Sequence, residues 1–269
     1  MDDTRHLPVS GLRGRDGGRM GQTTTPGIFT RRFGPPPRDD VPVVVLVHGL
    51  GLSGRYFVPL ARRLAAGGAS VLVPDLPGNA RSRSAVRRMP DVGALAEAVG
   101  DWHRGLSLGP CTFVANSVGC QVVAAFAARH PRRVDRAVMV GPALEPGASG
   151  WRQAGRLLAD APREPLPLLA VATADYLLTG PLRFAASFRH ALRDAATSFE
   201  GNLARVRAPT LVVRGARDPL ASGAWVRRVA RTVVDGHLAE VRNAAHAAHY
   251  SAPDAMAALI RTFVTGGRA

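Results

Sequence analysis

From residue 41 onward the chain alternates short, uninterrupted apolar runs with stretches whose apolar residues recur every three to four positions. The runs 41–47, 69–73, 112–115, 134–140, 210–213 and 237–241 are too short for helices and rich in Val, Leu and Ala. Most carry no alternating polar positions, so the strands they predict are covered on both faces. The intervening segments have helical spacing: Phe57, Leu60 and Leu64; Val92, Leu95, Val99 and Trp102; residues 118–130; Trp225, Val226, Val229 and Val233; and a terminal stripe of Met256, Leu259, Ile260 and Phe263. Buried strands joined by helical crossovers predict an α/β fold, a mainly parallel twisted sheet with helices on both faces.

The rhythm breaks once. Between 145 and 207 no strand is legible; short helical stretches around Leu157, Leu166, Tyr176 and Phe184 look interrupted by Pro162, Pro165, Pro167 and Pro181. A helical insertion followed by a return to the sheet predicts a cap (145–207) over a crevice in a core made of 41–144 and 208–269. Residues 1–40, rich in Gly, Pro, Arg and Thr, are expected to be a poorly ordered extension with at most an edge strand at 28–33, and Met20 is a candidate start.

Composition narrows the class. At 269 residues, 46% hydrophobic and 20% charged, the chain has material for a sizeable core and is not a disordered polymer. Two cysteines exclude a disulfide scaffold. No run is long enough to span a membrane and no signal-type stretch precedes the core, so a cytoplasmic protein is expected. The charge is abnormal: 35 basic residues, all arginine, against 20 acidic give a formal +15. The arginines are scattered and aromatics are only 6%. Coding bias accounts for this better than a nucleic-acid site does, and no specific nucleic-acid partner is expected.

Chemistry concentrates at a few points. In Phe113-Val114-Ala115-Asn116-Ser117-Val118-Gly119-Cys120 a strand turns sharply into a helix at a serine flanked by small residues. Such a turn strains the serine and lifts its hydroxyl above the sheet, with helix N–H groups behind it. His48-Gly49-Leu50-Gly51 ends the first strong strand, and the Leu50 N–H can pair with that of Val118 as an oxyanion hole. His48, on the strand side of the turn, reads as structural. Asp218 follows the strand 210–213, at the sheet edge where open α/β sheets place their sites. His246 follows the strand ending near Val241, on a loop able to bridge a hydroxyl and a carboxylate. Cys111 and Cys120 read as core, and His246 with His249 alone is the wrong set for zinc.

The order Ser117, Asp218, His246, with the strand-end His48-Gly49, the loop Pro74-Asp75-Leu76-Pro77-Gly78, the serine elbow and the Arg214–Asp218 segment, resembles the α/β-hydrolase family over residues 41–265. Ala115 departs from the family's usual glycine. The resemblance implies serine-ester chemistry with no cofactor and no metal. It favours His246 over His249, because the family sets its histidine some seven residues before the proline opening the last helix, here Pro253. His249 is then expected in the pocket wall or exposed, Glu145 is a weaker candidate acid than Asp218, and Asp75 is expected to bond backbone.

The substrate class is less legible. An apolar lid with Leu166, Leu168, Leu169, Tyr176, Leu177, Leu178, Phe184 and Phe188 suits a medium-sized hydrophobic small-molecule acyl substrate. Ester or lactone hydrolysis leads; Asn116 before the serine also resembles C–C bond hydrolases of ring-fission products, and a non-catalytic binding member of the fold stays open. The chain is expected to act as a monomer or homodimer.

Overall fold

A computed structural model describes residues 21–25 and 27–266 of the chain. Its strands are β1 (Gly21–Thr25), β2 (Ile28–Phe33), β3 (Val43–Val47), β4 (Ser70–Pro74), β5 (Cys111–Asn116), β6 (Val134–Val140), β7 (Thr210–Gly215) and β8 (Gly236–Val241). The helices are α1 (Val58–Ala66), α2 (Val92–Gly105), α3 (Gly119–Arg129), α4 (Gly150–Asp160), α5 (Leu166–Thr179), α6 (Pro181–Thr197), α7 (Phe199–Leu203), α8 (Gly223–Thr232), α9 (Ala248–Ser251) and α10 (Pro253–Val264). One eight-stranded sheet runs β1-β2-β4-β3-β5-β6-β7-β8, parallel from β4 to β8 and antiparallel at β1 and β2.

The expected α/β class holds, and the strand pattern explains it. In β3, Val45 and Val47 join a core with residues of α2, α3 and α8, while Val44 and Leu46 join a second core with residues of α1 and α10. Alternate side chains thus enter two apolar layers, which is why the run shows no polar positions. Each fully buried Leu or Val contributes about 1.5–3 kcal/mol of transfer free energy.

The poorly ordered extension expected over residues 1–40 is corrected from Gly21 onward. β2 is paired on both sides, to β1 and β4, so it is not an edge strand. It is held by burial of Ile28, Phe29 and Phe33 and by Trp102 Nε1 donating to Thr30 Oγ1 at 3.0 Å. Residues 1–20, including the candidate start Met20, lie outside the described residues. The prolines between 145 and 207 also act differently from expectation. Pro167 sits in the first turn of α5 and Pro181 opens α6, so these prolines start helices instead of breaking them, because their missing N–H is not needed there.

This topology gathers one rim. Asn116 pairs with Val140, Val140 with Val213, and Gly215 with Val241. The carboxyl ends of β5 to β8 are therefore neighbours, and the loops leaving them carry Ser117, Asp218 and His246. Helices α4 to α7 fill the connection between β6 and β7.

Candidate active site

Ser117 is the first of the two residues between β5 and α3, with φ at 59°, the left-handed region that non-glycine residues seldom adopt. Its N–H donates to Val140 O at 3.0 Å and its carbonyl accepts from Cys120 N at 3.0 Å, so both neighbouring strand and helix enforce the strain. Gly119 shows why the turn needs small residues: a Cβ there would sit 2.6 Å from Val47 O and 2.7 Å from His48 O. The departure at Ala115 is accommodated without exposure, the side chain being fully buried in the core.

Asp218 and His246 are brought together. His246 Nδ1 lies 2.9 Å from Asp218 Oδ2, while Asp218 Oδ1 accepts from the N–H groups of Leu220 (2.8 Å) and Ala221 (3.1 Å). Burial alone would raise the Asp218 pKa, but the His246 partner and these donors outweigh it and hold the carboxyl below its ordinary value. For His246 burial pulls downward, and the charge and hydrogen bond of Asp218, with Asp160 and Glu164 nearby, push the imidazole up to about 9. The other ring nitrogen, Nε2, is buried and has no hydrogen-bond partner among the described residues. It is therefore not bonded to Ser117, although both residues line one cavity of about 460 Å³. Leu50 and Val118 line it too, and neither backbone N–H is taken up in a hydrogen bond among the described residues.

Several residues to which sequence reasoning gave no positioning role hold this arrangement. Gly141, directly after β6 with φ at 53°, leaves the space for the Asp–His pair: a Cβ would fall 2.8 Å from Asp218 Oδ2 and 2.9 Å from His246 Nδ1. Asn116 ties three loops, since its Oδ1 accepts from Tyr56 OH (3.0 Å) and its Nδ2 donates to Val140 O (3.0 Å) and His246 O (3.2 Å). Tyr56 OH in turn accepts from Gly49 N at 2.8 Å, fixing the turn that carries Leu50. Three carboxylates reach down from α4 to α5. Asp175 accepts from Ser53 N and Oγ and from Arg55. Asp160 and Glu164 accept from the backbone N–H groups of His246 (3.4 Å) and Ala247 (2.6 Å). Burial raises the pKa of both, Glu164 to about 7, and Glu164 Oε2 is buried without a partner among the described residues.

The remaining candidates separate cleanly. His48 is structural: Nε2 accepts from Leu76 N at 2.7 Å, Nδ1 faces its neighbour's carbonyl Gly49 O at 2.9 Å, and burial lowers its pKa. His249, expected in the pocket wall or exposed, is neither. It is fully buried between Tyr56 and Phe57, with ring centroids 4.4 and 4.2 Å away, and burial holds it well below its ordinary pKa. Glu145 lies against Arg156 and Ser222, away from the imidazole. Asp75 takes the Gly54 N–H (2.8 Å) as expected, and also Arg31 (2.5 Å). Cys120 is buried, which raises its pKa, and Sγ lies 3.5 Å from Ala115 O. Among the described residues no group of three or more His, Cys, Asp or Glu is placed to hold a metal.

Comparison with known proteins follows the same outline. Residues 42–164 match the family model described as alpha/beta hydrolase fold, and residues 192–269 match the one described as TAP-like protein. Over 106 residues the chain is 35% identical to the magnesium-chelatase 30 kDa subunit of Rhodobacter capsulatus, a stretch covering 39% of this chain and 36% of that one. Over 99 residues it is 31% identical to the putative carbamate hydrolase RutD of Serratia proteamaculans (strain 568), covering 37% of each. The chain thus spans little more than a third of the length of these curated relatives. The enol-lactonase from Burkholderia xenovorans LB400 superposes with a TM-score of 0.73 at 22% identity, covering 91% of this chain and 100% of that one, a likeness of fold.

Proposed function

The chain belongs to the alpha/beta-hydrolase superfamily, and from that premise we propose that it is a serine hydrolase cleaving carboxylic esters or lactones of medium-sized hydrophobic substrates. Ser117 is the nucleophile, His246 the general base and Asp218 the acid that orients it. The observation that carries the reading is the Asp218–His246 bond of 2.9 Å, with Nε2 unpartnered in the cavity that the strained Ser117 also lines.

Ser117 Oγ attacks the acyl carbonyl carbon while its proton passes to His246 Nε2. That bond is unmade in the resting protein, as is common before substrate tightens a site. The carbonyl oxygen becomes an oxyanion, held by the Leu50 and Val118 N–H groups; loss of one such donor costs roughly 3–4 kcal/mol in the barrier. Collapse breaks the C–O bond, and the leaving alkoxide takes the Nε2 proton. Water, deprotonated by the same nitrogen, then cleaves the acyl-enzyme and restores Ser117. Asp218 keeps the proton on Nδ1 and stabilises the imidazolium. Only the neutral imidazole accepts a proton, so kcat/KM of the free enzyme should climb as pH rises toward about 9.

Helices α4 to α6 act as the cap. Leu157, Leu168, Leu169 and Phe188 offer an apolar wall to an acyl or aryl group. Asp160 and Glu164 on the same wall disfavour substrates with a free carboxylate. Asn116, the residue that also fits C–C bond hydrolases, has its amide bonded to Tyr56, Val140 and His246, which makes it a positioning residue and leaves ester or lactone cleavage the better-supported chemistry.

The test is a fluorophosphonate probe with a panel of p-nitrophenyl esters, lactones and a ring-fission dienoate. The wild-type chain should label and turn over an ester or lactone. Ser117→Ala should lose labelling and at least about 10⁴-fold in kcat with an unchanged melting temperature. Turnover retained in Ser117→Ala would overturn the assignment, and folded wild-type protein that never labels would mark a binding member of the fold.

A further inference from the structure

Helix α5 has the sequence LPLLAVATADYLLT, with Asp175 as its one charged residue. A helix apolar nearly all round belongs inside a protein or against an apolar phase. Yet Leu166, Ala170, Thr173 and Leu177, at helical spacing along one stripe, are exposed. The neighbouring helices repeat the pattern. Among the described residues eight large apolar side chains are exposed, and six lie on α4 to α6: Trp151, Leu158, Leu166, Leu177, Leu178 and Leu182, the last at 87%. A concentration of this kind on one part of a monomer's surface marks an interaction site.

Charge says what it meets. The acidic residues of α4, α5 and the turn between them, Asp160, Glu164 and Asp175, are all buried and turned to the core loops. The exposed charges around the apolar face are arginines: Arg152, stacked over Trp151 at 5.5 Å, with Arg163, Arg189 and Arg193. An apolar face rimmed by arginine and cleared of exposed carboxylate on α4 and α5 complements an anionic lipid surface. It does not suit a second copy, because two chains of formal +15 would be pressed together at their basic rims.

We propose that the outward face of α4 to α6 docks on anionic lipid bilayers. The same face leads to the site. Tyr176 and Phe184, packed edge to face at 5.1 Å, line the Ser117 cavity on one side and, with Thr173, Leu177 and Pro181, an outer groove of about 490 Å³ on the other. A bilayer-dissolved amphiphile therefore meets the groove first and the reactive cavity behind two rings. This route, unlike the docking itself, rests on the hydrolase reading.

The full chain is sedimented with phosphatidylcholine vesicles and with mixed phosphatidylcholine–phosphatidylglycerol vesicles, beside a triple variant Leu166→Ser, Leu177→Ser, Leu182→Ser and the single variant Ser117→Ala. The wild-type chain should partition to the mixed vesicles, with salt weakening the binding. The triple variant should lose at least about tenfold in partition while keeping the wild-type melting temperature, since all three side chains are exposed. Ser117→Ala should sediment like wild type, so docking stands or falls apart from catalysis. Sedimentation equal on phosphatidylcholine alone, binding that the triple variant keeps, or a wild-type dimer in solution that the triple variant dissolves would each overturn the proposal.

Discussion

Helices α3 and α5 are close in composition and opposite in circumstance. α3, GCQVVAAFAAR, is buried from Gly119 through Ala127, packed between the sheet, α2 and α7. α5 is equally apolar and carries as little charge, but only Leu168, Asp175 and Thr179 are buried in it. What differs is the layer beneath. α3 follows a central strand and is covered on all sides, so its side chains stabilise the fold. α5 stands one layer above the rim, with the Ser117 cavity under one face and solvent over the other. Apolar residues in the two places therefore do different jobs: those of α3 hold the platform under Ser117, and inward residues of α5 such as Leu168 and Tyr176 wall the cavity above it.

The sharpest way to separate platform from wall is to damage the platform's chemistry. Asp218→Asn should lower kcat on a p-nitrophenyl ester by about 10⁴, by mis-setting the imidazole tautomer. It should also lower the melting temperature at pH values below about 9, where the charged His246 loses its partner, although the Leu220 and Ala221 N–H groups keep an acceptor. A loss under tenfold would shift the acid role elsewhere, with Glu145 the first alternative. Next in size is the packing of α3. Phe126, fully buried and 5.0 Å from the Phe113 ring, should cost about 3–5 kcal/mol of folding free energy when cut to Ala, read by urea titration.

That contrast also sets what could be read beforehand. Strands β3 to β7 were legible because burial on both faces leaves mostly unbroken apolar runs, whereas β8, exposed at His237, Leu238 and Glu240, was legible only from Leu238, Ala239 and Val241. The placing of Ser117, Asp218 and His246 on one rim was legible because each follows a strand end. β1 was not: Gly-Gln-Thr-Thr-Thr has β-branched residues but no apolar stripe, and it exists by pairing to β2. Gly141 was illegible as a site residue, since its function is the space it leaves for Asp218 and His246. His249 was misplaced because a histidine three residues from His246 looks like part of the pocket wall or the surface, and only packing between Tyr56 and Phe57 shows it to be fully buried. In the insertion, helices could be read but not their aim. A single Asp175 in an apolar stretch does not announce that it will clamp Ser53 and Arg55.

A smaller effect probes where wall and platform are joined. Glu164 takes the Ala247 N–H, and burial raises its folded pKa from 4.5 to about 7. The folded state then binds the proton more tightly than the unfolded chain. Its stabilising contribution is complete below pH 4.5 and is lost as pH rises through about 7. His246, raised from 6.5 to about 9, acts in the same sense at higher pH, losing its contribution through about 9. Glu164→Gln keeps an acceptor for Ala247 and cannot ionise. It should match wild type below pH 4.5 and gain about 1–3 kcal/mol above pH 7, while the steps from Asp160, Asp194 and His246 remain in a melting-temperature profile. A variant no more stable than wild type above pH 7 would detach Glu164 from the joint.

The smallest expected change carries the comparison furthest. Leu177 is 77% exposed at the outer end of α5, so replacing it with Ser removes little buried area and no hydrogen bond. Folding free energy should move by no more than about 0.5 kcal/mol, against several for Phe126→Ala on an equally apolar helix. The two substitutions remove side chains of similar hydrophobicity, so a ratio near one would mean that α5 is covered in the folded chain and that its apolar stripe serves stability. A large ratio leaves the stripe without a structural reason inside the monomer, and the reason must then lie in what the helix touches.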